Sequence, residues 1–475
     1  MPSSAFRGGA MGALAPLLLF LVGVTWLGLS GAPDERGFWP VLLASLLLAT
    51  LLARDPEAYA EAAVEFVARP VVVLMLLAWM LAGALGAVLR ASGLVDALVE
   101  VGAAAGLRGG LWVGATFLVG ALLSTSTGTS LGTLILAVPL LYPAGVALAA
   151  DPVWLLGALL GGATFGDNLS PISDTTIASA STQGAPIARV VRSRLRYALP
   201  CGALALIAFS LLGGGDAAPQ PVEVLPRGGL DALWMLLAPA LVLVLLLRGR
   251  HLIVGLLWGV GAACAIGLAS GRIAPRALLS LDRENFVARS LLLDGVGASA
   301  GLCLVTVLLM ALIGGFETSG LLDRLLSWAE RRARGRRTAE WASFAAISGA
   351  TLLTTHSGVA ILSVGTLVRR LGERFAVAPT RRANLIDLTV CTYPFLLPWF
   401  IPTLLASGLA RGLAGAAPGP FEVGLANLYS WLLLGLTLLA IATGWGSAAG
   451  DDETTSATAR ISGSAARSPH RNDDA

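Results

Sequence analysis

The chain predicts an all-α polytopic membrane protein of two inverted-topology repeats, each with a re-entrant hairpin and a broken transmembrane helix. Three observations carry this expectation. Of its 475 residues 56% are hydrophobic and only 13% are charged, about half the charged share of a soluble domain, and mean hydropathy is +0.79. Long apolar runs recur from Met11 to Trp445, as successive membrane spans require. One order of features occurs twice: an amphipathic piece, a short apolar run, a tip of hydroxyls and glycine, and a span interrupted by polar residues.

Residues 1–69 read as a two-span region. The spans, at about 11–30 and up to 53, are joined by the polar turn Ala32-Pro33-Asp34-Glu35-Arg36. The first resembles a signal peptide but lacks a persuasive cleavage site and is followed by further spans, so it is taken as retained. Glu57, Glu61 and Glu65 share one helical face, which suits a solvated interfacial helix over 54–69.

The first repeat occupies 70–191. Pro70 opens a span to about 89, and Ser92 to Val99 form the amphipathic piece. The hairpin is 111–149: its first apolar run, 111–123, is shorter than the roughly 20 residues of a full crossing and ends in Ser124-Thr125-Ser126-Thr127-Gly128-Thr129-Ser130. The broken span is 152–188. Connecting spans fill 192–300, with 272–299 expected at the surface. The second repeat, 301–410, repeats the order: Ser319 to Leu326 matches Ser92 to Val99, the hairpin is 341–371 with the tip Thr354-Thr355-His356-Ser357-Gly358, and the broken span is 385–407. A last span lies within 411–446, and the polar tail 447–475 is expected to be disordered.

Positive charge orients the chain. Arg189 to Arg196, Arg248 and Arg250, Arg324 to Arg337 and Arg369 to Arg382 all fall on the cytoplasmic side when both termini are cytoplasmic and each hairpin returns to its starting side. The first hairpin then enters from outside and the second from inside, in the cytoplasmic membrane. The arginine clusters read as topology signals and contacts to anionic lipid. The cysteines, Cys201, Cys264, Cys303 and Cys391, stand singly, so neither a zinc site nor a disulfide framework is indicated. No phosphate loop, nucleophile triad or nucleic-acid patch emerges.

The densest chemistry is in Gly166-Asp167-Asn168-Leu169-Ser170-Pro171-Ile172-Ser173-Asp174-Thr175-Thr176. Ionisable residues inside a hydrocarbon-rich chain point to function, and a hard cation such as sodium takes oxygen ligands. The candidate ligands are Asp167, Asn168, Ser170, Ser173, Asp174, Thr175 and Thr176, with Ser126, Thr127, Thr129 and Ser130 from the first tip. The second half offers Asn384, Asp387, Thr389 and Thr392, and Thr354, Thr355 and Ser357 at its tip. A plainer alternative makes 167–174 an interfacial cap and the first tip a packing face; Asp387 could instead pair with a nearby arginine. His356 is a candidate pH gate or a helix cap. Ser170-Pro171 predicts a helix start. Asp174 then sits where the helix dipole favours its anion, and Asp167 past the end of the preceding helix, where dipole and burial both disfavour charge. Asp167 is therefore expected to exchange a proton for a cation while Asp174 stays ionised.

Phe165-Gly166-Asp167-Asn168-Leu169-Ser170-Pro171-Ile172-Ser173-Asp174-Thr175-Thr176 resembles the signature of NhaC-type sodium/proton antiporters, and Ser126-Thr127-Gly128-Thr129-Ser130-Leu131-Gly132-Thr133 resembles that family's other conserved element. The resemblance implies a fold with inverted repeats and re-entrant hairpins, sodium and protons as substrates, and no cofactor; a homodimer is compatible with it. Related proteins exchange organic acids or amino acids, so sodium-coupled transport of a small carboxylate or amino acid is the alternative function. An intramembrane aspartyl protease with Asp167 and Asp387 as its dyad is a remote one.

Overall fold

A computed structural model describes residues 5–30, 37–215, 229–283, 286–317, 319–354, 357–415 and 417–446. The turn over 32–36, Thr355, His356 and the tail 447–475 lie outside the described residues. Pro56, Pro70, Pro152, Pro275, Pro379 and Pro420 each stand in the first turn of a helix, where the missing N–H leaves no intrahelical bond unmade.

The chain opens with α1 (Gly9–Leu29), α2 (Phe38–Leu52), α3 (Pro56–Val67), α4 (Pro70–Ala91) and the amphipathic α5 (Leu94–Ala104). Next come α6 (Gly110–Thr127), α7 (Ser130–Ala147), α8 (Pro152–Leu169), α9 (Asp174–Gln183) and α10 (Ile187–Leu212). A 3₁₀ turn leads into α11 (Leu237–Leu247), followed by α12 (Leu252–Ala269) and the short α13 (Pro275–Leu278). After a small antiparallel hairpin of β1 (Ser280–Asp282) and β2 (Val287–Arg289) come α14 (Leu291–Ala298), α15 (Ala300–Glu317) and α16 (Leu321–Arg332). The last third holds α17 (Arg336–Thr354), α18 (Ser357–Arg374), α19 (Pro379–Val390), α20 (Ile401–Ala410), α21 (Pro420–Ala426) and α22 (Leu428–Thr443). Among the described residues seven helices are long and apolar enough to cross a membrane, so the protein is a helical polytopic membrane protein.

Two expectations need correction here. Residues 272–299 are not all surface: α14 runs on into α15 as one apolar stretch, Leu291–Gly315. The first tip is also shorter than expected. Thr125, Ser126 and Thr127 donate their hydroxyls to the carbonyls of Ala121, Leu122 and Leu123 at 2.7, 2.8 and 2.9 Å, so they remain in the helix, and only Gly128 and Thr129 separate α6 from α7. Each of these helices has 18 residues, or about 27 Å at 1.5 Å per residue, so length alone does not single out a re-entrant hairpin.

Small residues bring the site-bearing helices together. Gly162 and Gly166 of α8 lie against the backbone of α6 at Phe117 and Ala121, leaving no room for a Cβ, the close approach that glycine permits between membrane helices. Across the molecule α9 packs on α18 and α19, and α20 packs on α7. The backbone N–H of Asp151, just before α8, bonds the Gly213 carbonyl just after α10 at 2.9 Å, so these two ends lie level. With 26 residues in α10 against 18 in α8, α10 overruns α8 by roughly 12 Å. The C-terminal end of α8 therefore stops about eight residues short of the N-terminal end of α10.

Candidate functional site

α8 stops at Leu169 because Ser170 precedes a proline, whose ring disfavours helical backbone in the residue before it. Ser170 closes α8, its N–H bonding the Gly166 carbonyl at 2.9 Å. Pro171 and Ile172 form the link, and Ser173 is the N-cap position immediately before α9. The expected helix start at Ser170-Pro171 is thus displaced by three residues. Asp174 is the first residue of α9, and its Oδ1 accepts from the Thr175 N–H at 2.8 Å. Asp167 lies in the last turn of α8 rather than beyond its end. The two helix breaks meet: Gly128, at φ +68°, faces the Ile172 backbone so closely that an added Cβ would lie 2.9 Å from it.

Beside these breaks is a cavity of about 90 Å³, room for several waters at roughly 10–15 Å³ each. Its polar lining is Thr129, Ser130, Asp167, Asp174, Thr175 and Ser357; Met75, Cys391, Phe395 and Phe400 are among the other residues around it. The first residues of α7, α9, α18 and α20 all reach it, so four helix N-termini, with their partial positive charge, surround the two carboxylates. Asp167 is 4% exposed. Ser173 donates from Oγ to Asp167 Oδ1 at 2.6 Å and lies 3.0 Å from the Thr175 hydroxyl. Among the described residues the lining includes no basic side chain, and there is no group of three histidine, cysteine or acidic side chains placed to hold a metal. A set of carboxylate, hydroxyl and carbonyl oxygens suits a hard monovalent cation.

The remaining candidates separate. Asn168, Thr176, Asn384 and Asp387 converge on Arg194 of α10, which is completely buried. Its Nη1 lies 2.6 Å from Asp387 Oδ2, 2.7 Å from the Asn168 carbonyl and 2.8 Å from the Thr176 hydroxyl, and its Nε donates to Asn384 Oδ1 at 3.1 Å. Asn168 also donates to the Tyr429 hydroxyl at 3.2 Å. Ser126, Thr127, Thr354, Thr389 and Thr392 turn back onto carbonyls of their own segments and are not part of the cavity lining. The Ser170 hydroxyl is buried without a hydrogen-bond partner.

Arg194 corrects the reading of its cluster. Arg189 and Arg192 are exposed as topology signals should be, but Arg194 holds the site together. Arg381 and Arg382 are also buried; Arg381 pairs with Glu340 at 2.9 Å and donates to the Tyr197 hydroxyl at 2.6 Å. The spacing of Val190, Arg194, Tyr197, Cys201 and Ala205, the buried stripe of α10, was the available signal for Arg194. With Asp387 held by Arg194, Asp167 and Asp387 do not form the mutually paired dyad of an aspartyl protease.

A buried carboxylate, Asp167, and an exposed one, Asp174, stand at paired helix breaks in a polytopic helical protein, an arrangement that suits an ion-transport site. Residues 45–213 match the Na+/H+ antiporter family model. The chain is 24% identical over 301 residues to the Na(+)/H(+) antiporter NhaC of Alkalihalophilus pseudofirmus, covering 60% of this chain and 65% of that protein. It is 26% identical over 338 residues to NhaC of Bacillus subtilis, covering 66% and 73%. It is 28% identical over 223 residues to the Malate-2H(+)/Na(+)-lactate antiporter of Bacillus subtilis, covering 44% and 47%. The chain thus spans between about half and three quarters of the length of these relatives. The crystal structure of the Alcanivorax borkumensis YdaH transporter aligns with 92% of this chain and 99% of its own at 14% identity, with a TM-score of 0.38, a likeness too loose to bear on the fold. The sequence matches bear out the resemblance to NhaC-type antiporters and indicate a transporter, not an enzyme.

Proposed function

We propose that the protein exchanges sodium for protons across the cytoplasmic membrane, by alternating access of two inverted repeats. The observation that carries this is the cavity at the α8–α9 break, where Asp167, Asp174, Ser130, Ser173 and Thr175 offer oxygen ligands and no basic side chain among the described residues joins them. Asp167 is the group that alternates between proton and cation. It is buried at the carbonyl end of α8, where dipole and desolvation oppose a bare anion. Asp174, exposed and at the N-terminus of α9, supplies the second carboxylate to the cavity. The recurring order of α4 to α9 in α15 to α20 and the reciprocal contacts of α9 with α18 and α20 with α7 support paired re-entrant hairpins entering from opposite faces.

A second reading is favoured by the similarity to the malate and lactate antiporter: sodium- and proton-coupled exchange of a small carboxylate, with the converging helix N-termini as its anion site. One experiment separates the two. Everted vesicles from a strain lacking its own antiporters are given an acid-inside gradient, then sodium, lithium, potassium, organic acids or amino acids. Dequenching of a pH dye by sodium alone, lost in Asp167→Asn, is the expected result. A response only when an organic acid or amino acid is added would replace cation exchange with solute exchange.

A further inference from the structure

Asp387 looks like a third cation ligand from its composition, yet the buried contacts around it are arranged differently. Arg194 and Asp387 are both fully inaccessible and lie 2.6 Å apart. The same guanidinium reaches the Asn168 carbonyl in the last turn of α8 and the Thr176 hydroxyl in the first turn of α9. It therefore bridges both sides of the break that carries Asp167 and Asp174. Asn384, one turn before Asp387 on α19, accepts from Arg194 Nε and donates to the Ser193 hydroxyl. Neither Arg194 nor Asp387 belongs to the cavity lining. A cation beside Asp387 would also face the fixed positive charge of Arg194.

We infer that Arg194 and Asp387 are a self-neutralising pair that positions the broken helix, so that Asp387 is a positioning residue and not a cation ligand. This rests on the cation-exchange reading of the neighbouring cavity. Removing one charge of a buried pair leaves the other uncompensated, whereas replacing both together is often tolerated. Asp387→Asn strands the Arg194 charge near Asp167, where it competes with a bound cation. Arg194→Gln strands an anion.

The test compares Arg194→Gln, Asp387→Asn, the double variant and Arg194→Lys, each normalised to folded protein in the membrane. Sodium half-saturation of proton release is read in everted vesicles, and thermal unfolding is read on detergent-purified protein with and without sodium. Asp387→Asn should raise the half-saturating sodium concentration by roughly tenfold or more, and each single neutralisation should lower the unfolding temperature. The double variant should return to within about twofold of the original half-saturation and regain its stabilisation by sodium. Arg194→Lys should fall between the single and double variants, because lysine keeps the charge but loses the fork. A double variant that folds as well as the original but needs as much sodium as Asp387→Asn would make Asp387 a ligand and overturn the inference. So would an Asp387→Asn single variant indistinguishable from the original in both readouts. If the unmodified protein answers only to an organic solute, the cation-exchange reading fails on that arm alone, and the same comparison is made with that solute.

Discussion

At Gly128 two separate constraints meet in one residue. Its φ of +68° is a conformation that side chains bearing a Cβ adopt at a cost, and the space a Cβ would fill is taken by the backbone of Ile172. Gly128→Ala is therefore expected to lower stability by about 1–3 kcal/mol and to separate the two helix breaks. Thermal unfolding of the purified protein would register the first effect, and a raised sodium requirement in vesicles the second. An unchanged unfolding temperature would mean that the two breaks do not depend on this contact. The oxygen-bearing residues around Gly128 were legible in the sequence because Asp167, Ser173, Asp174 and Thr175 stand out against hydrocarbon. Arg194 was harder to assign, since Arg189, Arg192 and Arg196 beside it made it look like one more interfacial charge. Ser170-Pro171 misled for a different reason: a proline marks the first turn of a helix and also halts the helix before it, and here it does the second.

The helices themselves were largely readable from apolar runs and prolines, whereas their ends depended on hydroxyls that sequence alone leaves ambiguous. In α6 the run of serine and threonine that resembles a loop stays helical because each hydroxyl has a carbonyl one turn earlier to bond. The cytoplasm-facing clusters expected on α17 to α19 also conceal a buried tie. Arg381 of α19 pairs with Glu340 of α17, reaches the Tyr197 hydroxyl of α10, and donates to the Ala440 carbonyl of α22 at 3.2 Å. Four helices are thus joined through one guanidinium. Glu340→Ala leaves that charge without its carboxylate and is expected to cost about 3–5 kcal/mol, as for other broken buried pairs. Removal of Glu373 from its exposed partner Arg369 on α18 should have little effect, because solvent already screens that pair. Comparison of the two unfolding temperatures checks this, and equal losses would place the Glu340 pair in effective contact with water.

At the scale of the molecule, the proposed exchange would require the cavity to open to each side in turn, and the contacts of α9 with α18 are where such a motion would be felt. α9 follows the first break and α18 follows the second hairpin tip, and they pack directly on each other: Gln183 donates to the Gly365 carbonyl at 3.0 Å, and a Cβ built on Gly365 would fall 2.8 Å from the Thr182 Cβ. If one repeat moves against the other, this interface must slide. Cysteines at Thr182 and Gly365, in a chain with Cys201, Cys264, Cys303 and Cys391 replaced by serine, stand close enough to bridge once the backbones part slightly. Oxidation should then stop sodium-driven proton movement, and a reductant should restore it. Full exchange with the bridge complete would mean that α9 and α18 travel together. Motion would then have to occur between this central unit and the outer helices, and the pair of repeats would serve as the moving body rather than as two bodies in relative motion.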